Sequence, residues 1–357
     1  MSSNEKPGAD VRGFSEAPSP FLRKPSAFDA DNEDRITEID HSAELRGRQP
    51  RDAEPKRSHN LTAFTAEHAA EKTGPVIIPF GLPGSGKTTF LATLFKLLTE
   101  ARSLKSEVII PERESVSNYA GQAMLNEWSD LLTVGRLFDA TPAGEHHIRD
   151  VEMQVTPLVG QRRPLRFSIV EVSGEDLRKV VVQADSEPSL PQSVEALFTN
   201  RSVRPLLILM VHPERSGNDK MFDNLMLFLR QHVDPGRLKE MPMLVLIPNP
   251  RRAMAELHMR RPDLQMHKVL TPELCPEYLR EFAPRTYAIF SNWTKSRRGI
   301  MPYHVGTIGR SERDGRERIM VYEDEHAKQV FKWIYTQFTG RKLGQSWYSS
   351  FLKLLDD

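Results

Sequence analysis

The chain contains little cysteine, little net charge and no long apolar segment. Its single cysteine, Cys275, excludes an intrachain disulfide and a cysteine-based metal site, and it favours a reducing, cytoplasmic compartment. No apolar run reaches the roughly 18 residues that a membrane-spanning helix needs, and the N-terminus lacks the apolar core of a signal peptide. The net charge of +1 favours neither nucleic acid nor an anionic membrane as a partner. We expect a soluble cytoplasmic protein without a membrane span.

Composition divides the chain into three parts. Residues 1–72 contain no Trp, Tyr or Cys and are rich in Pro, Ser and charged residues, which predicts a disordered N-terminal tail. Residues 73–340 are predicted to form one enlarged domain with insertions near 103–140 and 252–300. Residues 341–357 carry a short apolar stripe and are predicted to form an amphipathic C-terminal helix.

The most informative segment joins an apolar strand, a glycine-rich turn and a helix start. Residues 75–80 (PVIIPF) precede GLPGSGKTT at 81–89, a Walker A phosphate loop of the form GxxxxGK[ST]. In such a loop, backbone amides and the helix N-terminus surround the phosphates. Lys87 is expected to reach the β- and γ-phosphates, and the Thr88 hydroxyl to bind Mg²⁺. The predicted nucleotide-binding residues here are Gly81, Pro83, Gly84, Ser85, Gly86, Lys87, Thr88 and Thr89.

The remaining apolar pattern indicates the fold class. Residues 151–155 alternate apolar and polar side chains, and 165–172 follow after a Gly- and Pro-containing connection, which predicts an antiparallel hairpin. Continuous apolar runs at 205–211 and 241–247 flank a helical stripe. The sequence therefore predicts a three-layer α/β fold of the P-loop NTPase type: a mostly parallel sheet with one antiparallel strand and helices on both faces.

This order of elements, followed by the residues EVSGED at 171–176, resembles the Ras-like small GTPases. The resemblance covers about residues 75–340 and implies a DxxG motif in which Glu171 replaces the acid that contacts Mg²⁺ through water. It also implies that the Gly174 amide meets the γ-phosphate. Thr141, which precedes the hairpin, is the implied threonine that closes over Mg²⁺ and the γ-phosphate. Thr88, Glu171 and Thr141 are thus the predicted metal-site residues.

One departure from the family pattern predicts slow hydrolysis. Family members often place a Gln after the motif glycine to orient the attacking water, whereas this chain has Glu175. An anionic carboxylate beside a γ-phosphate is repelled, so we expect slow intrinsic turnover. The predicted catalytic residues are Lys87, Glu175 and Thr141.

Base recognition departs most from the family pattern. Asn249 is all that remains of an NKxD motif, because Pro250 and Arg252 occupy the Lys and Asp places. A guanidinium cannot accept the hydrogen bonds of a guanine edge, so the usual cause of guanine selectivity is missing. Gly306 and Thr307 occupy the place of the SAK loop, and residues 293–297 (WTKSR) offer an alternative, displaced motif.

Three hypotheses follow. The first is a GTP-binding switch with Mg²⁺ as cofactor and a protein effector or regulator as partner, similar to enlarged bacterial GTPase-like domains. The second is a P-loop ATPase in which the strand at 205–211 carries the metal-side acids, although residues 212–214 (HPE) lack the adjacent pair. The third is a nucleotide-binding regulatory module without turnover. The base therefore stays open between GTP and ATP.

Overall fold

The computed structural model describes residues 63–138, 141–158, 163–182, 189–213, 215, 217–265, 267–310 and 317–340. Most of the predicted tail and the whole predicted C-terminal helix at 341–357 lie outside these residues.

A mostly parallel sheet forms the middle layer of the described structure. Its strands are β1 Gly74–Phe80, β2 Leu104–Ile109, β3 Arg149–Pro157, β4 Leu165–Glu171, β5 Val203–Met210, β6 Met243–Pro248 and β7 Arg298–Tyr303. They lie in the order β2-β3-β4-β1-β5-β6-β7. β3 runs antiparallel to both of its neighbours, and all other pairs are parallel. The predicted α/β sheet with one antiparallel strand is confirmed.

Helices cover both faces of this sheet. They are α1 Ala66–Glu71, α2 Lys87–Glu100, α3 Ala120–Thr133, α4 Gly174–Val182, α5 Gln192–Thr199, α6 Gly217–His232, α7 Pro235–Glu240, α8 Pro250–Arg260, α9 Cys275–Phe282, α10 Pro284–Asn292 and α11 Glu325–Thr339. α2, α3 and α11 share one apolar core with Ile77 of β1, whereas α5, α6, α8 and α9 share the other with Ile78. Because successive strand residues point to opposite faces, β1 must be apolar throughout.

The folded part of the domain begins before residue 73. Thr65 accepts a hydrogen bond from the His68 amide at the start of α1, and α1 lies beside α5. Asn200 donates to the backbone oxygens of Ala69, Ala70 and Lys72 over 2.9–3.0 Å. The tail boundary that composition predicted therefore falls ten residues inside the described structure, which starts at residue 63.

The two predicted insertions are built into the domain. Residues 103–140 supply β2, which extends the sheet beyond β3. They also supply α3, whose Trp128 is buried in the apolar core that α2, α3 and α11 share. Residues 252–300 supply α9, α10, most of α8 and the first residues of β7.

A second, two-stranded sheet lies outside the main one. It pairs β8 Gly306–Arg310 with β9 Glu317–Tyr322, and the Ile319 amide donates to the Gly135 oxygen over 2.7 Å. This hairpin was not predicted, because residues 306–309 (GTIG) contain little of the apolar alternation that marks a strand. In the described residues, no helix combines the length and the apolar character needed to cross a bilayer.

Candidate nucleotide-binding site

The phosphate loop lies between β1 and α2, and its glycines meet specific geometric needs. Gly84 and Gly86 have φ angles of 73° and 88°, which L-residues with a Cβ rarely adopt. At Gly81 a Cβ would lie 2.2 Å from the Ser85 hydroxyl oxygen. That hydroxyl is buried and has no hydrogen-bond partner among the described residues. The loop is thus tightly closed, and the described residues offer its buried Ser85 hydroxyl no hydrogen-bond partner.

Lys87 lies across the loop. Its ammonium group donates to the Gly81 oxygen over 2.7 Å and to the Leu82 oxygen over 3.5 Å. Burial lowers the pKa of Lys87 to about 8, against the raising effect of the Glu171 and Glu175 carboxylates. A buried cation that is held mainly by carbonyl oxygens is well suited to receive an anionic group.

Three side-chain oxygens converge beside Lys87. Thr88 donates its hydroxyl to Glu171 Oε1 over 2.7 Å, Thr141 donates to the same oxygen over 3.0 Å, and the two hydroxyl oxygens are 3.2 Å apart. Burial raises the pKa of Glu171, and the hydrogen bonds from Thr88 and Thr141 oppose that rise. The structure therefore brings together all three residues that the resemblance implied for a metal.

This oxygen set fits Mg²⁺. Magnesium takes oxygen ligands and is usually held by one or two protein groups together with substrate phosphates and water. No cluster of three or more His, Cys, Asp or Glu side chains that suits a metal occurs in the described part of the chain. A cation here would thus depend on Thr88, Thr141 and Glu171 and on oxygens supplied by a nucleotide.

The start of α4 lies directly against the phosphate loop. A Cβ at Gly174 would be 2.4 Å from the Pro83 nitrogen and 2.8 Å from the Leu82 carbonyl carbon. Only glycine permits this approach, which places the N-terminus of α4 next to the loop.

The segment around Thr141 is tied to the same helix. The Ser173 hydroxyl donates to the backbone carbonyl oxygen of Thr141 over 2.9 Å, and the Gly144 amide donates to Asp176 Oδ2 over 2.8 Å. Sequence reasoning missed the roles of Ser173 and Asp176, although an Asp in the first turn of a helix is a common acceptor of backbone amides.

A pocket of about 220 Å³ opens beside the loop. Most of the residues that line it were predicted from the sequence, and Leu137 and Phe138 were missed because apolar residues in a loop carry no motif. The lining residues are Pro83, Gly84, Ser85, Gly86, Lys87, Thr88, Thr89, Leu137, Phe138, Thr141 and Gly174.

The predicted base-recognition residues lie elsewhere. Asn249 has a φ of 53° and accepts the Arg252 amide over 3.4 Å, so its side chain caps α8. Gly306 and Thr307 are in β8, where they pair with residues of β9. None of the three lines the phosphate pocket, and their contact with a base stays a prediction.

Glu175, the predicted catalytic carboxylate, points partly to solvent. Its side chain is 45% exposed and lies 3.4 Å from the Arg178 guanidinium. It does not line the phosphate pocket, although its charge acts on Lys87. A role in hydrolysis therefore stays a prediction as well.

One comparison with known proteins matches the segment of the chain that contains this site. Residues 78–227, less than half of the chain, match the family model Double-GTPase 1. No curated protein shows significant similarity to the chain. One similar solved structure is the signal recognition particle receptor SRb-GTP/SRX complex from Chaetomium thermophilum, with 14% identity, a TM-score of 0.30 and coverage of 68% of this chain and 94% of that chain. The segment from β1 into α6, which contains the phosphate loop, is thus similar to the Double-GTPase 1 family, and this match supports a P-loop GTPase type of domain.

Proposed function

We propose that this protein is a Mg²⁺-dependent GTP-binding switch that hydrolyses its nucleotide slowly. The observation that carries the proposal is the convergence of the Thr88, Thr141 and Glu171 oxygens next to Lys87. These groups come from the phosphate loop, the segment before β3 and the end of β4, which are far apart in sequence. Similarity to the Double-GTPase 1 model over residues 78–227 supports the choice of GTP.

The chain's own residues account for nucleotide binding. Amides from Gly84 to Thr88 are expected to bind phosphate oxygens, and the Lys87 ammonium to exchange its carbonyl partners for them. Bound Mg²⁺ would neutralise phosphate charge and orient the phosphate oxygens. Thr88 would hold the ion from the loop, and Thr141 from the segment that precedes β3.

A switch requires that the loss of one phosphate change the structure outside the pocket. Thr141, Gly174 and the loop meet at one place, and bonds from Ser173 and Asp176 connect the Thr141 segment to α4. A terminal phosphate would favour this closed arrangement, and its removal would weaken it. A protein effector or regulator that contacts residues 141–147 and α4 would sense the difference.

A second function is favoured by Glu175. Its carboxylate occupies the sequence position at which the resembled family often has a water-orienting Gln, and a carboxylate there is repelled by a γ-phosphate. The same site would then bind nucleotide as a regulatory module without turnover.

Single-turnover assays separate these functions from a P-loop ATPase. The parent protein is loaded with GTP or ATP, with and without Mg²⁺, and the inorganic phosphate released is followed with time. Slow, Mg²⁺-dependent release from GTP supports the switch. Release from ATP alone identifies an ATPase, and tight binding of GTP without phosphate release identifies the regulatory module.

A further inference from the structure

Arg215 lies against the phosphate loop, although no motif marks it. A Cβ at Gly84 would be 2.9 Å from Arg215 Nη2 and 3.5 Å from both its Cζ and its Nε. The guanidinium group therefore packs on the loop at the glycine that also needs a positive φ of 73°. The positive φ is what requires glycine here, because the end of an exposed arginine side chain could move away from a Cβ at little cost.

Two backbone hydrogen bonds hold the turn that carries Arg215, and the Asn218 side chain attaches this turn to the phosphate loop. Its amide donates to the His212 oxygen over 3.0 Å, and its oxygen accepts the Asn218 amide over 3.0 Å. Asn218, 1% exposed at the start of α6, accepts the Leu82 amide over 2.7 Å through its side chain. The turn after β5 is thus attached to the phosphate loop itself, so the backbone of Arg215 is fixed relative to any phosphate bound there.

Two other arginines that follow strands of this sheet already lie beside carboxylates. Arg178 lies 3.4 Å from Glu175, and Arg252 lies 3.0 Å from Glu256. The Arg215 side chain is exposed and lines a neighbouring cavity of about 380 Å³ rather than the phosphate pocket. An exposed arginine changes rotamer at little cost, so we expect side-chain rotation to carry the guanidinium from Gly84 to a bound phosphate.

We propose that Arg215 is a cation of the polyphosphate site, donating to the terminal phosphates of a nucleoside triphosphate from beside Gly84. The inference rests on the proposed function, because it assigns a residue to that site. A planar guanidinium that stays charged is well matched to phosphate oxygens. Its contribution is greater for a triphosphate than for a diphosphate, because the triphosphate carries more charge.

Calorimetric titrations with the β,γ-imido analogues of GTP and ATP, and with GDP and ADP, test this role. The variants are Arg215→Met, which keeps a long side chain without the charge, and Arg215→Lys, which keeps the charge without the planar guanidinium. Arg230→Met is the matched control, because Arg230 is exposed at the far end of α6. We expect Arg215→Met to weaken triphosphate-analogue binding about tenfold or more, the loss expected for one charge-assisted hydrogen bond.

Diphosphate binding should weaken less than triphosphate-analogue binding in Arg215→Met, and Arg215→Lys should recover part of the triphosphate affinity. Arg230→Met should bind like the parent. Equal binding of the triphosphate analogue by the parent and Arg215→Met overturns the inference while leaving the proposed function intact, and so does an equal loss for diphosphate and triphosphate. If the parent binds no nucleotide, the proposed function fails first, and the inference fails with it.

Discussion

The Gly144 amide donates a hydrogen bond to the Asp176 carboxylate over 2.8 Å, and Asp176 is only 3% exposed. This bond connects the segment that carries Thr141 to the first turn of α4. Because α4 begins at Gly174, in contact with the phosphate loop, the two segments and the loop form one connected unit.

Asp176→Ala is expected to release this segment. The partly buried Gly144 amide loses a charged acceptor, and a hydrogen bond to a charged group contributes about 1.5–3 kcal/mol. Hydrogen exchange in peptides covering residues 141–147 should become faster, with little change in β5 and β6. Asp176→Asn keeps an acceptor oxygen and serves as the control. Unchanged exchange in Asp176→Ala would show that other contacts hold the segment.

Thr141→Val should raise the Mg²⁺ concentration needed for triphosphate binding, whereas Thr141→Ser should behave like the parent. Valine keeps the shape of threonine but removes the hydroxyl that lies 3.0 Å from Glu171 Oε1. We expect a loss of about tenfold in apparent Mg²⁺ affinity. Nucleotide titrations at fixed Mg²⁺ concentrations measure it, and equal Mg²⁺ dependence in the two variants would remove Thr141 from the metal site.

Lys87→Met is expected to stabilise the nucleotide-free protein. Burial lowers the pKa of Lys87 to about 8, which means that the folded state carries an unfavourable buried charge at neutral pH. Replacing it with an apolar side chain of similar length should raise the free energy of unfolding by about 1–3 kcal/mol. Urea unfolding of nucleotide-free samples checks this. A large loss of stability would indicate that the bonds to Gly81 and Leu82 outweigh the cost of burial.

Cys275 should be unreactive until the domain unfolds. Its thiol is fully buried at the start of α9, and burial raises its pKa to about 12. Because the thiolate is the reactive form, labelling by a disulfide reagent should stay slow in the native protein up to about pH 10. In urea, labelling should follow the unfolding curve measured by circular dichroism. Fast labelling of native protein would place α9 in a locally opening region.

The fold and the phosphate loop were predictable because their signals are local. GxxxxGK[ST] between an apolar strand and a helix specifies a turn with defined backbone angles, and continuous apolar runs specify buried parallel strands. The hairpin of β3 and β4 was evident from its alternation. The contact partners Asp176 and Arg215 were not evident, because their roles depend on where distant segments meet.

Base recognition was hardest to predict. Asn249 fits a family position, yet its side chain caps α8, which is the common local use of an Asn before a helix. Gly306 and Thr307, which were assigned to the last loop, lie in β8, whose pairing with β9 depends on residues further along the chain, and their contact with a base stays a prediction. A single surviving residue of a motif can have an ordinary local role, such as capping a helix, so by itself it is a weak predictor of base recognition.

Isothermal calorimetry of the parent protein and Lys87→Met with GTP, GDP, ATP and ADP in Mg²⁺ tests the central claim most directly. We predict that the parent binds GTP and GDP, that it prefers them to the adenine nucleotides, and that Lys87→Met loses triphosphate binding while remaining folded. Absence of binding heat for every nucleotide in folded parent protein, or equal binding by the variant, would contradict the account.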